Sequence, residues 1–448
     1  MRPLSSAAAR LARTYPSYRD FVDDALFDPA WGYYSTGVVR FGEGGHYDTF
    51  PTALSPLFGR MVARAAFRFW ERIRRPSRLE VCEIGGGNGQ LCLDTVVAVE
   101  TATRTAAWNR FASAFRYRIV ERSRALASRQ RAKLGPLAAR VTWTRADLSR
   151  RMAAGAPFGE AGFVVANEVL DCLAHHKIVP GPAGETRVVF VVPARRDGRP
   201  VTRRGLARSL GATRPARLRY REVALPLDAV SGLRAFLARY CPERLVARRP
   251  FPPYFACPEM PTLVRNVARL YDTAEMLWID YGDIRPFHRR APERHRVFAG
   301  PPRSARSVYD APGRDDITFM VDFSVVAEAA RDAGLAVTFY GDQGVLARVA
   351  GVHLGAREVD LIARARAASW MLDVVGIGPE HEWRRGGITW TRDGARGGTL
   401  EAGIARDVLE FLGRRPSRFR MIALSTGPTV FRHRSRRGAV RRGRRTDC

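Results

Sequence analysis

Lysine is almost missing from this chain. Lys133 and Lys177 are its two lysines in 448 residues, although lysine and arginine together number 74. The basic side is therefore arginine, and 74 bases against 44 acids leave a formal charge of +30. Arginine, alanine, glycine and proline share GC-rich codons, so a GC-rich genome would produce part of this bias. Whatever its origin, a field of this sign attracts phosphate-bearing and acidic partners and holds nucleic acid loosely at low salt. Paired cysteine spacing is also lacking. The six cysteines (Cys82, Cys92, Cys172, Cys241, Cys257 and Cys448) contain no CxxC, which argues against a zinc ribbon, a thioredoxin-like site or a disulfide framework and favours a reducing compartment. No run of about eighteen apolar residues occurs, and no charged start leads into an apolar core with a cleavage site, so neither a membrane span nor a secretory signal is expected. The expected location is cytoplasmic. A mitochondrial address is the alternative, because the first nineteen residues carry four arginines and no acid, although aromatic-rich sequence begins by Tyr15. With 46% hydrophobic residues, disordered and collagen-like classes drop out, and the length suffices for one large core or two to three ordinary ones.

The arginines are unevenly spread. Ten lie between Arg195 and Arg221 with Asp197 as the one acid, and eight lie between Arg432 and Arg445. Neither stretch interleaves aromatics as a base-stacking platform would. Residues 432–448 read as a solvated, disordered basic tail able to attract nucleic acid without sequence preference.

Strands and helices alternate along the rest. Leu79–Ile84 is a short apolar strand running into Gly85-Gly86-Gly87-Asn88-Gly89, and a helix follows from Gln90. Glycines suit such a turn because it takes positive φ and lets a ligand approach the backbone beside free helix N–H groups. Tyr117–Glu121 reads as a second strand ending in a carboxylate, placed to accept hydrogen bonds from ribose hydroxyls. Val141–Trp143 with Asp147 beyond it, Gly162–Ala166 ending in Asn167-Glu168, and Met276–Gly282 are the third, fourth and fifth strands. Leu335–Tyr340 and Arg420–Leu424 supply two more. Seven strands separated by helical stretches predict an α/β, doubly wound sheet with its ligands at the carboxyl ends of the strands. A dinucleotide dehydrogenase is one reading of such a sheet. Glu83, two residues before the first glycine, instead matches the pattern of Rossmann-like class I S-adenosylmethionine (SAM) methyltransferases.

At this point the sequence resembles the MidA-type proteins, a family that includes the mitochondrial arginine methyltransferase assisting assembly of respiratory complex I. The resemblance is carried by Ala25–Pro29, Gly32-Tyr33-Tyr34, Phe41-Gly42, Gly45, Thr49 and Ser55–Gly59, then by Glu83–Leu91 with Asp94, and by Val120–Ser123. Ala166–Asp171, Ile279–Gly282 and Asp316–Phe323 follow in order. It implies a SAM cofactor held by Glu83, Gly85, Gly87, Asn88, Gly89, Glu121, Asp147 and Asn167, and a protein acceptor, an arginine side chain. It departs from the family at Gly45–Thr52, where His46 replaces an acid and Thr52 a glutamate in a segment expected to lie over the site as a lid. Substrate identity is therefore more open than cofactor identity. A non-catalytic assembly or binding factor for an acidic partner or RNA, and a small-molecule methyltransferase, stand as the alternatives.

An arginine acceptor stays protonated because its pKa is above ~12, so carboxylates must orient it and accept a proton. Glu168 and Asp171, just past strand four, are the candidate pair, although a helix-start cap and a surface charge would explain them too. His46 is the third catalytic candidate, as a base or as filler. His175 and His176 lack ligand-spaced neighbours, so no metal site is expected. The PPY of Phe251–Phe255 resembles a DNA-methylase motif but falls outside strand four and reads as a rigid loop. The expected organisation is a cap over 1–60, the first half of the cofactor sheet over 61–180, an insertion over 181–270, and the second half over 271–352. A helical insertion over 353–418, with Leu361, Ile362, Ala365 and Trp370 at helical spacing, precedes the last strand at 419–431 and the tail. The sequence is silent on oligomeric state.

Overall fold

The computed structural model describes residues 4–41, 46, 49–101, 105–152, 157–212, 218–245, 251–284, 307–352 and 419–431, together with the backbone of four short strands at 296–298, 383–385, 388–391 and 394–396. Among the described residues seven strands line up across the main sheet, β1 (Leu79–Ile84), β2 (Phe115–Glu121), β3 (Val141–Arg145), β4 (Gly159–Asn167), β5 (Tyr271–Asp283), β6 (Ala336–Asp342) and β7 (Phe419–Ser425), and the two-residue strand Val321–Asp322 pairs beside β5 as an eighth. Their order is β6-β7-β5-β4-β1-β2-β3. β7 runs antiparallel to both neighbours and the remaining pairs are parallel. The expected α/β sheet is thus present with all seven strands.

Every residue of β1 is buried, as a central parallel strand covered on both faces requires. Of its two buried carboxyls, Glu80 is answered by Arg118 Nε at 2.7 Å and the Tyr271 hydroxyl at 2.6 Å. One face of the sheet is covered by α2 (Leu57–Arg72) and α3 (Gln90–Thr101), where Phe58, Met61, Phe69 and Leu91 pack on Val81 and Phe163. The apolar positions of α2 recur every three to four residues, the spacing of a helix with one buried stripe. The other face carries Leu263, Val264 and Val267 against Met276 and Trp278. The chain reverses direction across the sheet between β1 and β4, which opens a crevice at their carboxyl ends.

The inserted region forms its own antiparallel sheet from Arg219–Pro226, Thr186–Ala194, His176–Pro180 and Tyr254–Ala256, in that spatial order. It begins at His176, a few residues before the boundary the sequence suggests, and the tyrosine of the PPY run sits in its short edge strand. The N-terminal cap is stitched to this sheet: α1 (Tyr18–Phe27) buries Tyr18, Phe21, Val22 and Leu26 against Val189, Val191 and Phe319, and Val191 N donates to Pro16 O at 2.9 Å. The helically spaced Leu361, Ile362, Ala365 and Trp370 lie outside the described residues. Within the same interval, Trp383–Arg385, Ile388–Thr391 and Gly394–Arg396 pair as a three-stranded antiparallel sheet. The interval expected to be helical therefore holds strands too.

Candidate active site

The glycine turn after β1 is bare peptide between two buried carboxylates. Gly85, Gly87 and Gly89 have φ of 72°, 49° and 81°, a region where a side chain is strained. Glu83, at the end of β1, is sealed from solvent and accepts a 2.8 Å hydrogen bond from the Tyr117 hydroxyl. Burial, and then the nearby charge of Glu121, push its pKa up to about 8. Glu121, at the end of β2, accepts from Ser123 N at 2.8 Å and Gln130 Nε2 at 3.0 Å. Burial raises its pKa as well. Gln130, on α4 (Arg124–Leu134), also donates to Gly87 O at 3.1 Å and accepts from the Trp143 indole at 3.0 Å. One side chain thus ties the turn, β2 and β3 together. Asn88 spends its side-chain oxygen on the backbone, accepting from Gln90 N at 3.0 Å to start α3.

This crevice fits the SAM implied by the resemblance. An open peptide strip admits an amino acid and a sugar, and two buried carboxylates with raised pKa values are relieved by a ligand that brings an ammonium and hydroxyl donors. Asp147 is differently engaged. Its carboxylate pairs with Arg122 Nε at 3.3 Å and Arg150 Nε at 3.4 Å, and both arginines also hold Asp23 of α1. In this structure it serves to dock the cap.

The turn after β4 is the second half of the site. Glu168 sits at φ 53°, an uncommon setting for a residue with a side chain, and its N–H donates to Ile279 O at 2.8 Å. Asn167 Nδ2 donates to Glu168 Oε1 at 3.0 Å, which leaves Asn167 Oδ1 buried without a hydrogen bond. Asp280 of β5 pins the turn by accepting from Leu170 N at 3.0 Å and Asp171 N at 3.1 Å. The Tyr281 hydroxyl donates to Asp171 Oδ2 at 2.6 Å, and Asp171 Oδ1 is buried with no partner. Burial pushes Asp171 up to about 6. A third carboxyl, Asp316, accepts from the Tyr34 hydroxyl of the cap at 2.9 Å. The turn adjoins the glycine loop: a β-carbon built on Gly85 would lie 3.0 Å from Val169 Cγ2.

His46 lies over the cap, its Nδ1 2.7 Å from the Tyr33 hydroxyl and its ring stacked on Tyr33 at 5.6 Å. Burial, then Arg40, lower its pKa from 6.5. Tyr33 in turn meets Tyr34 edge-on at 4.9 Å, so among the described residues two tyrosines link His46 to the carboxylate pocket. His175 stacks on Phe319 at 4.3 Å, and His176 starts the inserted sheet, where burial lowers its pKa to about 4. The sequence reading gave no role to Tyr117, Gln130, Tyr34, Asp280, Tyr281 or Asp316. Their signal was available in part: Tyr34, Asp280, Tyr281 and Asp316 lie inside the family-like blocks.

The profile of the family described as "Putative S-adenosyl-L-methionine-dependent methyltransferase" matches residues 61–341. Two crystal structures from Burkholderia thailandensis, both of COG1565 superfamily proteins, share the fold. One, bound to S-adenosyl-homocysteine, is 20% identical with a TM-score of 0.58 and covers 96% of this chain and 97% of its own. The other, a native structure, is 19% identical with a TM-score of 0.57 and covers 97% and 98%. The carboxylate-flanked glycine turn, the strand order and the matched profile agree, and this chain belongs to the MidA-type family of SAM-dependent methyltransferases.

Proposed function

We propose that the methyl group goes to a cationic nitrogen, the guanidinium of an arginine side chain on a protein partner. The observation that carries this reading is the excess of acceptors in the pocket past β4: Asn167 Oδ1 and Asp171 Oδ1 are buried without donors, beside Glu168, Asp280 and Asp316. Buried acceptors left unpaired are costly, and a ligand bringing N–H groups and positive charge satisfies them. The MidA-type resemblance points the same way.

Bound SAM supplies a methyl group carried on a sulfonium. The chain's own residues do the rest by placement and charge. Glu168, fixed by Ile279 and Asn167, faces the acceptor. Asp171 is held by Tyr281, while Asp280 spends its carboxylate on the backbone of the turn.

The test is transfer from labelled SAM into cell extract, with mass spectrometry of the labelled species. Label on protein arginine is the expected result, label in the low-mass fraction would mean a small-molecule acceptor, and binding without transfer would favour an assembly factor. Glu168→Gln keeps the shape and removes the charge. It should slow transfer roughly thirty- to a thousandfold, on the order of 2 to 4 kcal/mol, with cofactor affinity within a few fold. A variant that no longer binds SAM would reassign Glu168 to the cofactor.

A further inference from the structure

We propose that Asp316, held by Tyr34 of the N-terminal cap, is a second acceptor-binding carboxylate opposite Asp171, and that it takes the proton the acceptor nitrogen loses on methylation. This role rests on the cationic acceptor proposed above and adds a residue from a different part of the chain. Asp316 opens the strand Asp316–Thr318, is 2% exposed, and receives the Tyr34 hydroxyl on Oδ1. Asp171 is tied on its Oδ2 by Tyr281, from the main sheet. Two phenols thus fix two carboxyls, one from the cap and one from β5. Asp171 Oδ1, on a residue 3% exposed, is buried without a hydrogen-bond donor, so the polar groups already present do not complete the pocket. The backbone joins the two segments directly, with Phe319 N donating to Asp171 O at 3.0 Å.

The charges agree with this geometry. Burial, followed by the charge of Asp171, pushes Asp316 up to about 8, which favours its protonated form at neutral pH until a cation arrives. A cation entering between the carboxyls expels that proton and leaves Asp316 ionised. In the transfer step the nitrogen lone pair forms the N–C bond to the methyl carbon, and the C–S bond breaks with its electron pair staying on sulfur. The N–H proton passes to Asp316, so the methylated guanidinium keeps its single positive charge.

The probe is butylguanidinium, with butylurea as its neutral isostere, titrated by calorimetry into the full chain saturated with S-adenosyl-homocysteine. Repeating the titration in buffers of different ionisation enthalpy counts protons. Wild type should bind butylguanidinium and not butylurea, and should release about 0.9 proton at pH 7, as follows from a group with a pKa near 8. Asp316→Asn should release almost none and should lose at least thirtyfold in kcat for protein labelling, with S-adenosyl-homocysteine affinity within threefold. Asp316→Glu should restore part of both. Tyr34→Phe, which removes one hydroxyl and spares the fold, should move the acid limb of the kcat profile to higher pH. Unchanged proton release and full transfer in Asp316→Asn would overturn the role of Asp316 and leave the cationic acceptor standing. Failure of butylguanidinium to bind, with label on a neutral acceptor, would overturn both.

Discussion

With Glu83 as the partner of the cofactor's ammonium, affinity should depend on pH, and the slope can be worked from its setting. The carboxyl is 4% exposed and has Tyr117 as its hydrogen-bond donor, and burial with Glu121 nearby holds its pKa at about 8. Below that pH the free protein carries a proton on Glu83, whereas a bound ammonium requires the carboxylate. Binding must therefore expel the proton, and affinity falls as pH falls, by about tenfold per unit well below the pKa. Between pH 7.5 and 6 the expected loss is about 25-fold, ~1.9 kcal/mol. The assay is calorimetric titration of S-adenosyl-homocysteine at both pH values, with Glu83→Gln alongside. The variant should bind more weakly at pH 7.5 and show almost no slope. A wild-type Kd that changes less than twofold, or a Glu83→Gln variant with the same slope as wild type, would refute the reasoning.

Gly87→Val should abolish S-adenosyl-homocysteine binding in the same titration, because the residue sits at φ 49° and a branched side chain would both strain the turn and fill the strip between it and Phe41; a bound variant at wild-type affinity would show that the ligand does not cross this turn. Glu275, wholly buried on β5, accepts from Thr429, Val430 and Phe431, and burial holds its pKa at about 7. Its folded-state pKa is raised, so its contribution to stability is fully present below pH ~4.5 and is lost as pH rises through 7, by roughly 3 kcal/mol at pH 8. Urea melts at pH 5 and pH 8 should show about 2.5 kcal/mol of that loss in wild type and a correspondingly smaller one in Glu275→Gln.

The main sheet was legible because each strand is an apolar run closed by a glycine, an acid or a polar turn. Gly162–Ala166 is an unbroken run of small and apolar residues, as a parallel strand covered on both faces requires, and Leu79–Ile84 interrupts its apolar residues only with Glu80 and Glu83. Glu83, Glu121, Glu168 and Asp171 were legible for the same reason, since ligands gather where such strands end. The partners of those carboxylates were not. Tyr117, Tyr281 and Tyr34 look like ordinary core aromatics in a linear reading, and only the fold brings their hydroxyls to Glu83, Asp171 and Asp316. Asp147 carries a second engagement that its place after β3 does not announce: Arg122 and Arg150 both pair with it and join it to the cap. The insertion boundary moved because His175-His176 carries no turn signal, and strand pairing with Tyr254–Ala256 decides where that sheet begins.

The two halves of the site differ in how far apart their parts lie along the chain. Tyr117 reaches Glu83 across 34 positions, and Gln130 reaches Glu121 across 9 and Gly87 across 43. Tyr281 reaches Asp171 across 110 and Tyr34 reaches Asp316 across 282. Long loops close late, since their entropy must be lost before their contacts form. During synthesis the contacts around the glycine turn can form once β3 has emerged, whereas the carboxylate pocket past β4 waits for residues beyond 316 to return to the cap. Local opening of the cap would likewise undo that pocket first and leave the glycine turn in place, so the two halves of the site can be lost separately.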